Sequence, residues 1–451
     1  MSVPSGAASD GSGTMAVFYS ILNRIGMIAI QVVTGILTAR TLHPQGRGEL
    51  AAMILWPLFL ASVTTLGIPS SLIYFIRKRN SERTSLIMHG FAISVGFGCV
   101  AAGISALLLP RWLHQYSPAV VHSAQLFLLT IPLCSIMLAG QASLEALGRF
   151  SASNATQILV PAATLAGLLG FYFTHRLTPF TAAIAYVASA FPVAALILFY
   201  LWRERSSGSH WLWSMAECRL LLSYGVRSYG IDLLNALAER VDIVLVISML
   251  EPGAMGVYAV MLSLSRTLNV FPSSVAMVLF PKAAGQPLDA IVELTEVAVR
   301  ISAMITAFCA AALCLIGPLL VRMLYGSSFA GAIGALRILL IEATLACTVT
   351  VMAQAFKAVG RPGVVTILQG VGLALCIPMM LWLIPKWGLT GAAAALLIST
   401  AARFLFLYIS FRVFLRSRMP RLLPRLEDLH FVVSVVHSRL RREPALPEVA
   451  Q

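Results

Sequence analysis

Apolar stretches of about twenty residues recur along the whole chain, and this feature most restricts the folds open to it. A helix of that length crosses the hydrocarbon layer of a membrane, where every backbone polar group must be hydrogen-bonded within the segment. Only 11% of the 451 residues are charged, whereas a soluble domain has about 25%. So few charges cannot cover a water-soluble surface, and we therefore predict an all-α integral membrane protein.

Turn residues divide the apolar stretches into twelve predicted membrane helices. The predicted spans are 15–39, 49–76, 86–109, 121–147, 154–174, 179–201, 220–248, 254–280, 296–321, 332–358, 363–385 and 389–414. Before the first span, residues 1–14 have neither the basic nor the apolar region of a signal peptide, and we predict a disordered tail.

A short motif occurs once in each half of the chain. Residues 41–53 read TLHPQGRGELAAM and residues 249–261 read MLEPGAMGVYAVM, with five identities at an offset of 208. The sequence PSS at 69–71 likewise returns at 272–274. Six helices per half is an even number, so both halves enter the membrane from the same side. We predict two six-helix lobes related by a parallel internal repeat. The predicted parts are the N-lobe 15–201, a linker 202–219, the C-lobe 220–414 and a basic tail 415–451.

Positive side chains are concentrated in alternate loops. One set of loops contains Arg77, Lys78, Arg79 and Arg83, whereas the other set, which includes Arg47, contains far fewer. The positive-inside rule places the first set and both termini in the cytoplasm. The basic tail is either an amphipathic helix on the inner leaflet or disordered. No stretch interleaves aromatic and basic residues, so the net charge of +14 does not indicate a nucleic-acid partner.

Polar residues form one stripe on the first predicted helix and one on the seventh, within about 100° and 80° of arc respectively. Ionisable residues inside a span usually face a cavity or a charged partner, and we predict that both stripes face a shared central cavity. The predicted cavity-lining residues are Arg24, Arg266, Ser20, Asn23, Gln31 and Asn269. The predicted coupling or gating residues are Asp232, Asn235, Glu239, Asp242 and Glu342.

The same residues have a purely structural alternative, in which arginines and carboxylates pair inside the membrane and join helices. An arginine in a cavity is suited to phosphate, because its planar fork offers several donors at once. Arg227, Arg240, Arg337 and Arg403 are further membrane-embedded positions. No metal-ligand spacing, P-loop or G-x-S-x-G motif is present, so we predict no enzyme activity, metal or cofactor.

Four stretches resemble a known family when taken in order. They are ILTARTLHPQGRG at 36–48, ALGRFSASN at 146–154, VDIVLVISMLEPGAMGVYAV at 241–260 and VLFPK at 278–282. Over residues 15–415 the chain resembles the oligosaccharide flippases of the multidrug/oligosaccharidyl-lipid/polysaccharide exporter superfamily. It departs from their pattern at His43, where the family commonly has glycine, and at Glu251, the equivalent position of the repeat.

The resemblance implies a flippase for oligosaccharides linked to polyprenyl diphosphate, working by alternating access in the bacterial inner membrane. It implies O-antigen, capsule or exopolysaccharide synthesis, a cationic cavity, a monomeric transport unit and contact with membrane lipids. Polysaccharide polymerase or export proteins would be its partners. Three alternatives stay open: a multidrug or cation antiporter, a lipid II flippase, which usually has two further helices, and a non-transporting membrane scaffold. An antiporter would favour an acidic cavity, and a scaffold would not need matched polar stripes.

Overall fold

The computed structural model describes residues 10–204 and 213–422, except for the side chains of residues 10–25, Asn80, Val278 and Pro281. All regular elements of these residues are helical. Nine helices among them are long and apolar enough to cross a membrane. The predicted all-α membrane fold is therefore confirmed.

Fourteen α-helices make up this part of the chain. They are α1 Asp10–Val63, α2 Ile68–Lys78, α3 Arg83–Trp112, α4 Pro118–Phe127, α5 Ile131–Ala146, α6 Phe150–Phe173, α7 Pro179–Ala188, α8 Ala190–Arg203, α9 Met215–Met249, α10 Pro252–Arg266, α11 Val270–Ala283, α12 Leu288–Leu320, α13 Ile333–Ala358 and α14 Pro362–Val413. Short 3₁₀ turns occupy Asn80–Glu82, Leu128–Thr130, Thr267–Asn269 and Ser327–Ala332, and Val321–Tyr325 is π-helical.

The two longest helices each contain one non-helical residue between two predicted spans. His43 in α1 has φ 56° and ψ 178°, and Gly388 in α14 has φ 55° and ψ −129°. Each long helix therefore consists of two helical parts that meet at a sharp change of direction. The predicted seventh span corresponds to α9, which carries several charged residues and is not among the nine apolar helices. The number twelve stays a prediction.

Four predicted spans are interrupted, and a hydroxyl group accompanies every interruption. The side chains of Thr64, Thr130, Ser189 and Thr267 donate hydrogen bonds of 2.6–2.7 Å to carbonyls three or four residues earlier. A proline follows each interruption within a few residues, at Pro69, Pro132, Pro192 and Pro272. Proline removes a backbone donor from the helix, and a serine or threonine hydroxyl bonded to the preceding turn often accompanies a bend. Pro69 and Pro272 begin the two PSS sequences, so both copies lie just after a break.

Contacts divide the chain into two compact units. The first comprises Met1–Val260 and Val321–Ala330, and its core includes Leu72, Leu144 and Leu221. The second comprises Met261–Leu320 and Gly331–Gln451, and its core includes Val351, Phe356 and Phe411. Each core joins side chains from several helices, so each unit has a packed interior of its own.

The predicted boundaries of the lobes stay a prediction. Of the predicted N-terminal tail, residues 1–9 lie outside the described residues, and α1 begins at Asp10. Residues 205–212 of the predicted linker and 423–451 of the predicted basic tail, with its candidate amphipathic helix, also lie outside them. Within the described part of that tail, Arg418 Nη2 lies 3.4 Å from Glu296 Oε2 of α12.

Candidate functional site

A cavity of about 420 Å³ lies inside the first unit. Its wall is formed by the second part of α1, the α4–α5 and α7–α8 breaks, and parts of α6, α9 and α10. Most of the wall is apolar. Its polar groups are Arg47, Thr130, Thr164, Tyr186, Ser189 and Arg240.

Two of the interrupted spans open onto this cavity. Thr130 closes the turn between α4 and α5, where its hydroxyl donates to the Phe127 carbonyl. Ser189 lies between α7 and α8 and donates to the Tyr186 carbonyl. Leu128–Thr130 form a 3₁₀ turn and Ser189 keeps helical angles, with φ −61° and ψ −23°, so each span is locally irregular without a non-helical residue. Short 3₁₀ segments inside a helix often mark functional positions, so this part of the wall is a candidate for ligand contact.

Arg47 reaches the cavity because α1 changes direction at His43. Pro44 follows the break, and proline fits the first turn of a helix because its missing N–H has no partner there in any case. Arg47 thus lies in the first turn of the new helical part. Its Nε is buried and has no hydrogen-bond partner among the described residues. A buried N–H without an acceptor is unfavourable, and an anionic ligand in the cavity would satisfy it.

Arg240 brings a second guanidinium group to the cavity from α9. Its Nη2 lies 4.0 Å from Glu239 Oε1, and the Glu239 side chain is 69% exposed, so this pair is weak. No aspartate or glutamate lines the cavity among the described residues. The cavity therefore carries positive charge in an apolar wall, an arrangement that suits phosphate or carboxylate groups.

The two copies of the repeated motif contact each other beside the cavity. A Cβ atom at Gly48 would lie 1.7 Å from the carbonyl oxygen of Pro252, and one at Gly256 would lie 1.9 Å from that of Pro44. Each glycine thus packs against the proline carbonyl of the other copy. The close approach requires glycine at both positions, because any side chain would overlap backbone atoms.

The predicted cavity-lining residues stay predictions. The side chains of Ser20, Asn23 and Arg24 lie outside the described residues. Gln31 is exposed on α1, Asn269 is exposed in the turn after α10, and Arg266 is partly buried at the end of α10. The lining of the 420 Å³ cavity contains none of these last three. A shared cavity between two lobes also stays a prediction.

Two of the predicted coupling residues on α9 have hydroxyl partners. Asp232 Oδ2 accepts a hydrogen bond of 3.0 Å from Ser70, the first serine of the first PSS sequence. Asp242 is buried, and its Oδ2 accepts one of 3.4 Å from the Tyr258 hydroxyl. The other two predicted residues of this helix, Asn235 and Glu239, are exposed.

Glu342 belongs to a polar network in the second unit. Its Oε1 accepts a hydrogen bond of 2.7 Å from Thr400, whose hydroxyl in turn accepts one of 2.7 Å from Arg403. Gly372 makes room for the arginine, since a Cβ there would lie 2.3 Å from Arg403 Cδ. The network joins α13 to α14 through side chains that are buried or partly buried. The coupling role predicted for Glu342 remains a prediction.

Sequence reasoning missed Arg47 as a cavity residue. It was predicted to lie in an outer loop, because the second span was predicted to begin at residue 49. The signal that could have found it is Pro44, which marks a helix start three residues earlier. Arg240 was recognised as membrane-embedded, yet α9 carries other charged residues and the pattern gave no reason to prefer it.

Residues 37–334 match the model of a family described as polysaccharide biosynthesis protein. No curated protein matches the chain in sequence. Among solved structures, an inward-facing multidrug resistance MATE family transporter of the MOP superfamily has a TM-score of 0.69 at 16% identity, covering 87% of this chain and 96% of that one.

Two further solved structures have the same fold. The lipid II flippase MurJ, in an inward closed conformation, has a TM-score of 0.74 at 13% identity, covering 93% of this chain and 98% of that one. A mutant of the Vibrio cholerae MATE transporter VcmN has a TM-score of 0.61 at 15% identity, covering 88% and 95%. At such low identity the similarities show the fold alone.

Proposed function

The chain belongs to the polysaccharide biosynthesis protein family, and from this premise we propose that it flips oligosaccharide units linked to polyprenyl diphosphate across a membrane. The family and the fold together support a membrane transporter. The proposed glycans are repeat units of O-antigen, capsule or exopolysaccharide. The proposed location is the bacterial inner membrane, with both termini in the cytoplasm, and the loop charges support this orientation.

The observation that carries the proposal is the cavity that contains Arg47 and Arg240. A lipid-linked glycan bears its negative charge on the diphosphate, and that charge must pass a layer of low dielectric constant. Guanidinium groups in the cavity lower this barrier by pairing with the phosphate oxygens, while the polyprenyl chain stays in the hydrocarbon. The hydroxyls of Thr130, Thr164 and Ser189 donate to backbone carbonyls, so each keeps an oxygen that can accept a hydrogen bond from a sugar hydroxyl.

The proposed mechanism is alternating access. The head group enters from the cytoplasmic side, the two lobes change their relative orientation, and the head group leaves on the outer side. The acids Asp232, Glu239, Asp242 and Glu342 are proposed for ion coupling or gating. Polysaccharide polymerase or export proteins would take up the product, and a monomer would form the transport unit.

The structural similarity to MATE transporters favours a second candidate, a drug or cation antiporter. A cationic substrate needs acidic groups in the cavity, whereas this cavity presents two arginines and no carboxylate among the described residues. The similarity to MurJ favours a third candidate, a lipid II flippase. Lipid II also carries a polyprenyl diphosphate, so the cavity does not separate this candidate from the first, and a lipid analysis must do so.

The test is made in the native host with the gene deleted. We would extract the lipid-linked intermediates, identify their glycans by mass spectrometry and measure dye sensitivity in the same strain. Accumulation of a polyprenyl-diphosphate glycan other than lipid II, reversed by the wild-type gene, supports the proposal. Accumulation of lipid II supports the third candidate. Normal lipid intermediates with raised dye sensitivity contradict the proposal and support the antiporter.

A further inference from the structure

A second site lies at the surface of the first unit, away from the arginine cavity. The helices α3 and α8 enclose a groove of about 420 Å³ whose walls are mainly apolar. Its lining includes Ile87, Phe91, Leu198, Phe199 and Trp202. Of these, Phe199 and Trp202 are 49% and 68% exposed. Exposed apolar side chains on a membrane protein face lipid, so the groove is shaped to receive a hydrocarbon chain.

Charged groups lie at one end of this groove. Arg83 begins α3 and Glu204 follows α8, and both line it. A polar depression of about 710 Å³ adjoins the groove at Glu204 and is lined by Arg149 and Arg203 among others. Glu204 lines both the groove and the depression, so the apolar groove ends beside a polar region that contains Arg149 and Arg203, as a site for a lipid with a polar head group would.

The carboxylate of Glu204 already has a partner. Arg149 donates to Glu204 Oε1 from Nε at 2.7 Å and from Nη2 at 2.5 Å. Arg83 and Arg203 have no carboxylate partner among the described residues, and Arg83 Nε is buried without a hydrogen-bond acceptor there. The Arg203 guanidinium lies 5.8 Å from the centre of the ring of Phe199, which lines the groove. Two positive charges thus remain uncompensated where the apolar wall ends.

We propose that this site binds one anionic phospholipid, with an acyl chain in the α3–α8 groove and the phosphate held by Arg83 and Arg203. Charge complementarity selects an anionic over a zwitterionic lipid, because a phosphate without a neighbouring ammonium group balances both guanidinium charges. Trp202 lies beside the arginines, and tryptophan favours the boundary between hydrocarbon and head groups. The predicted orientation places the site in the cytoplasmic leaflet, where anionic lipids are attracted by basic groups.

The proposal is independent of the transported substrate. The lining of the groove shares no residue with that of the cavity that contains Arg47 and Arg240. A lipid here would join the start of α3 to the end of α8 through its phosphate. Because this groove is separate from the cavity, lipid binding can be measured directly, without a transport assay.

The test uses the purified full-length chain and native mass spectrometry. Phosphatidylglycerol and phosphatidylcholine with identical acyl chains are titrated separately, and bound lipid is counted per protein. We compare the wild type with Arg83→Gln/Arg203→Gln. The matched control is Arg412→Gln, which removes an exposed charge near the end of α14 on the same predicted membrane face. A second variant, Leu198→Trp, narrows the groove without changing charge. Size-exclusion chromatography verifies that each variant is folded.

The expected result is a first phosphatidylglycerol molecule that binds at least about tenfold more tightly than phosphatidylcholine, corresponding to about 1.4 kcal/mol. This preference should fall with added salt and disappear in Arg83→Gln/Arg203→Gln but not in Arg412→Gln. Leu198→Trp should weaken both lipids.

Three outcomes overturn the proposal. Equal binding of both lipids would show a site for hydrocarbon only. Equal loss in the Arg412→Gln control would show a diffuse charge effect. In a competition titration, polyprenyl phosphate is added to the protein with phosphatidylglycerol bound. Displacement at a polyprenyl phosphate concentration far below that of phosphatidylglycerol would assign the groove to the transported lipid.

Discussion

At the scale of single residues, the position of each arginine decides its role. Arg47 and Arg240 line one cavity from α1 and α9, with no carboxylate in its lining among the described residues. Arg403 instead donates to Thr400, which joins it to Glu342. Arginine within a span therefore marks either a ligand site or an internal network, and only its surroundings separate the two.

We expect Arg47→Gln and Arg240→Gln each to lower the rate of glycan flipping by about tenfold or more. A hydrogen bond to a charged group contributes about 1.5–3 kcal/mol, and about 1.4 kcal/mol corresponds to tenfold. The measurement is transfer of a polyprenyl-diphosphate glycan in proteoliposomes. Arg227→Gln, at an exposed position of α9 outside the cavity lining, is the control. Wild-type rates in both cavity variants would refute the proposed role of the cavity.

Arg24 and Arg266 are tested in the same assay. The predicted cationic cavity requires that Arg24→Gln and Arg266→Gln also lower the rate. Normal transport in both would contradict the predicted role of these two arginines in the cavity, and it would leave the result for Arg47 and Arg240 unaffected.

His43 holds a backbone conformation that suits glycine. Its φ of 56° with ψ of 178° lies in a region that residues with side chains rarely adopt, at a cost of about 1–3 kcal/mol. We expect His43→Gly to raise the temperature of thermal unfolding in detergent. The control is Ala39→Gly in the regular part of α1, which should lower it. A lower unfolding temperature for His43→Gly would show that the imidazole makes contacts worth more than the backbone strain.

At the scale of helices, close approach and interruption both shape the first unit. Gly67, with φ 72°, lies so near α9 that a Cβ there would be 2.2 Å from the Gly225 carbonyl oxygen. This approach falls at the break between α1 and α2, as the contact of Gly48 with Pro252 falls near the break at His43. Glycine allows helices to approach closely, and the non-helical residues His43 and Gly67 let the chain change direction.

We expect Gly48→Ala and Gly256→Ala each to destabilise the protein by about 1–3 kcal/mol, the usual effect of forcing extra atoms into a packed contact. The new methyl groups would overlap the carbonyls of Pro252 and Pro44. The check is thermal unfolding in detergent. Gly253→Ala, where a Cβ would meet open space, is the matched control and should be neutral. If Gly48→Ala and Gly253→Ala were equally stable, the reciprocal contact would not form in the protein.

At the scale of the whole molecule, the arrangement of loops across the membrane is the main feature to test. The helix α3 has 30 residues, hence a length of roughly 45 Å, enough to cross a hydrocarbon layer of about 30 Å. The loops before and after it should therefore lie on opposite sides. The positive-inside rule assigns the basic loop at Arg77–Arg83 to the cytoplasm.

Cysteine labelling in intact cells tests this assignment. In a chain whose own cysteines are replaced, we expect a membrane-impermeant reagent to label His114→Cys and to leave Glu82→Cys unlabelled until the membrane is permeabilised. The opposite pattern would invert the topology and remove the cytoplasmic entry of substrate. Labelling of both sites would show that α3 does not span the membrane.

The amino-acid sequence by itself determined that this is a helical membrane protein, where most of its helices lie, and which family it resembles. These properties depend on local composition and on proline and glycine signals, which act over a few residues. The family is confirmed by the match over residues 37–334.

Only the tertiary structure decided which distant residues meet. Arg47 and Arg240 share a cavity, and Gly48 packs against Pro252, although about 200 residues separate the two members of each pair. The polar stripes predicted Asp232 and Asp242 as inward-facing groups, but their partners Ser70 and Tyr258 lie on other helices. Hydropathy is a sum over neighbours in sequence, whereas proximity across helices depends on how side chains fill the space between them, and no local pattern records that packing.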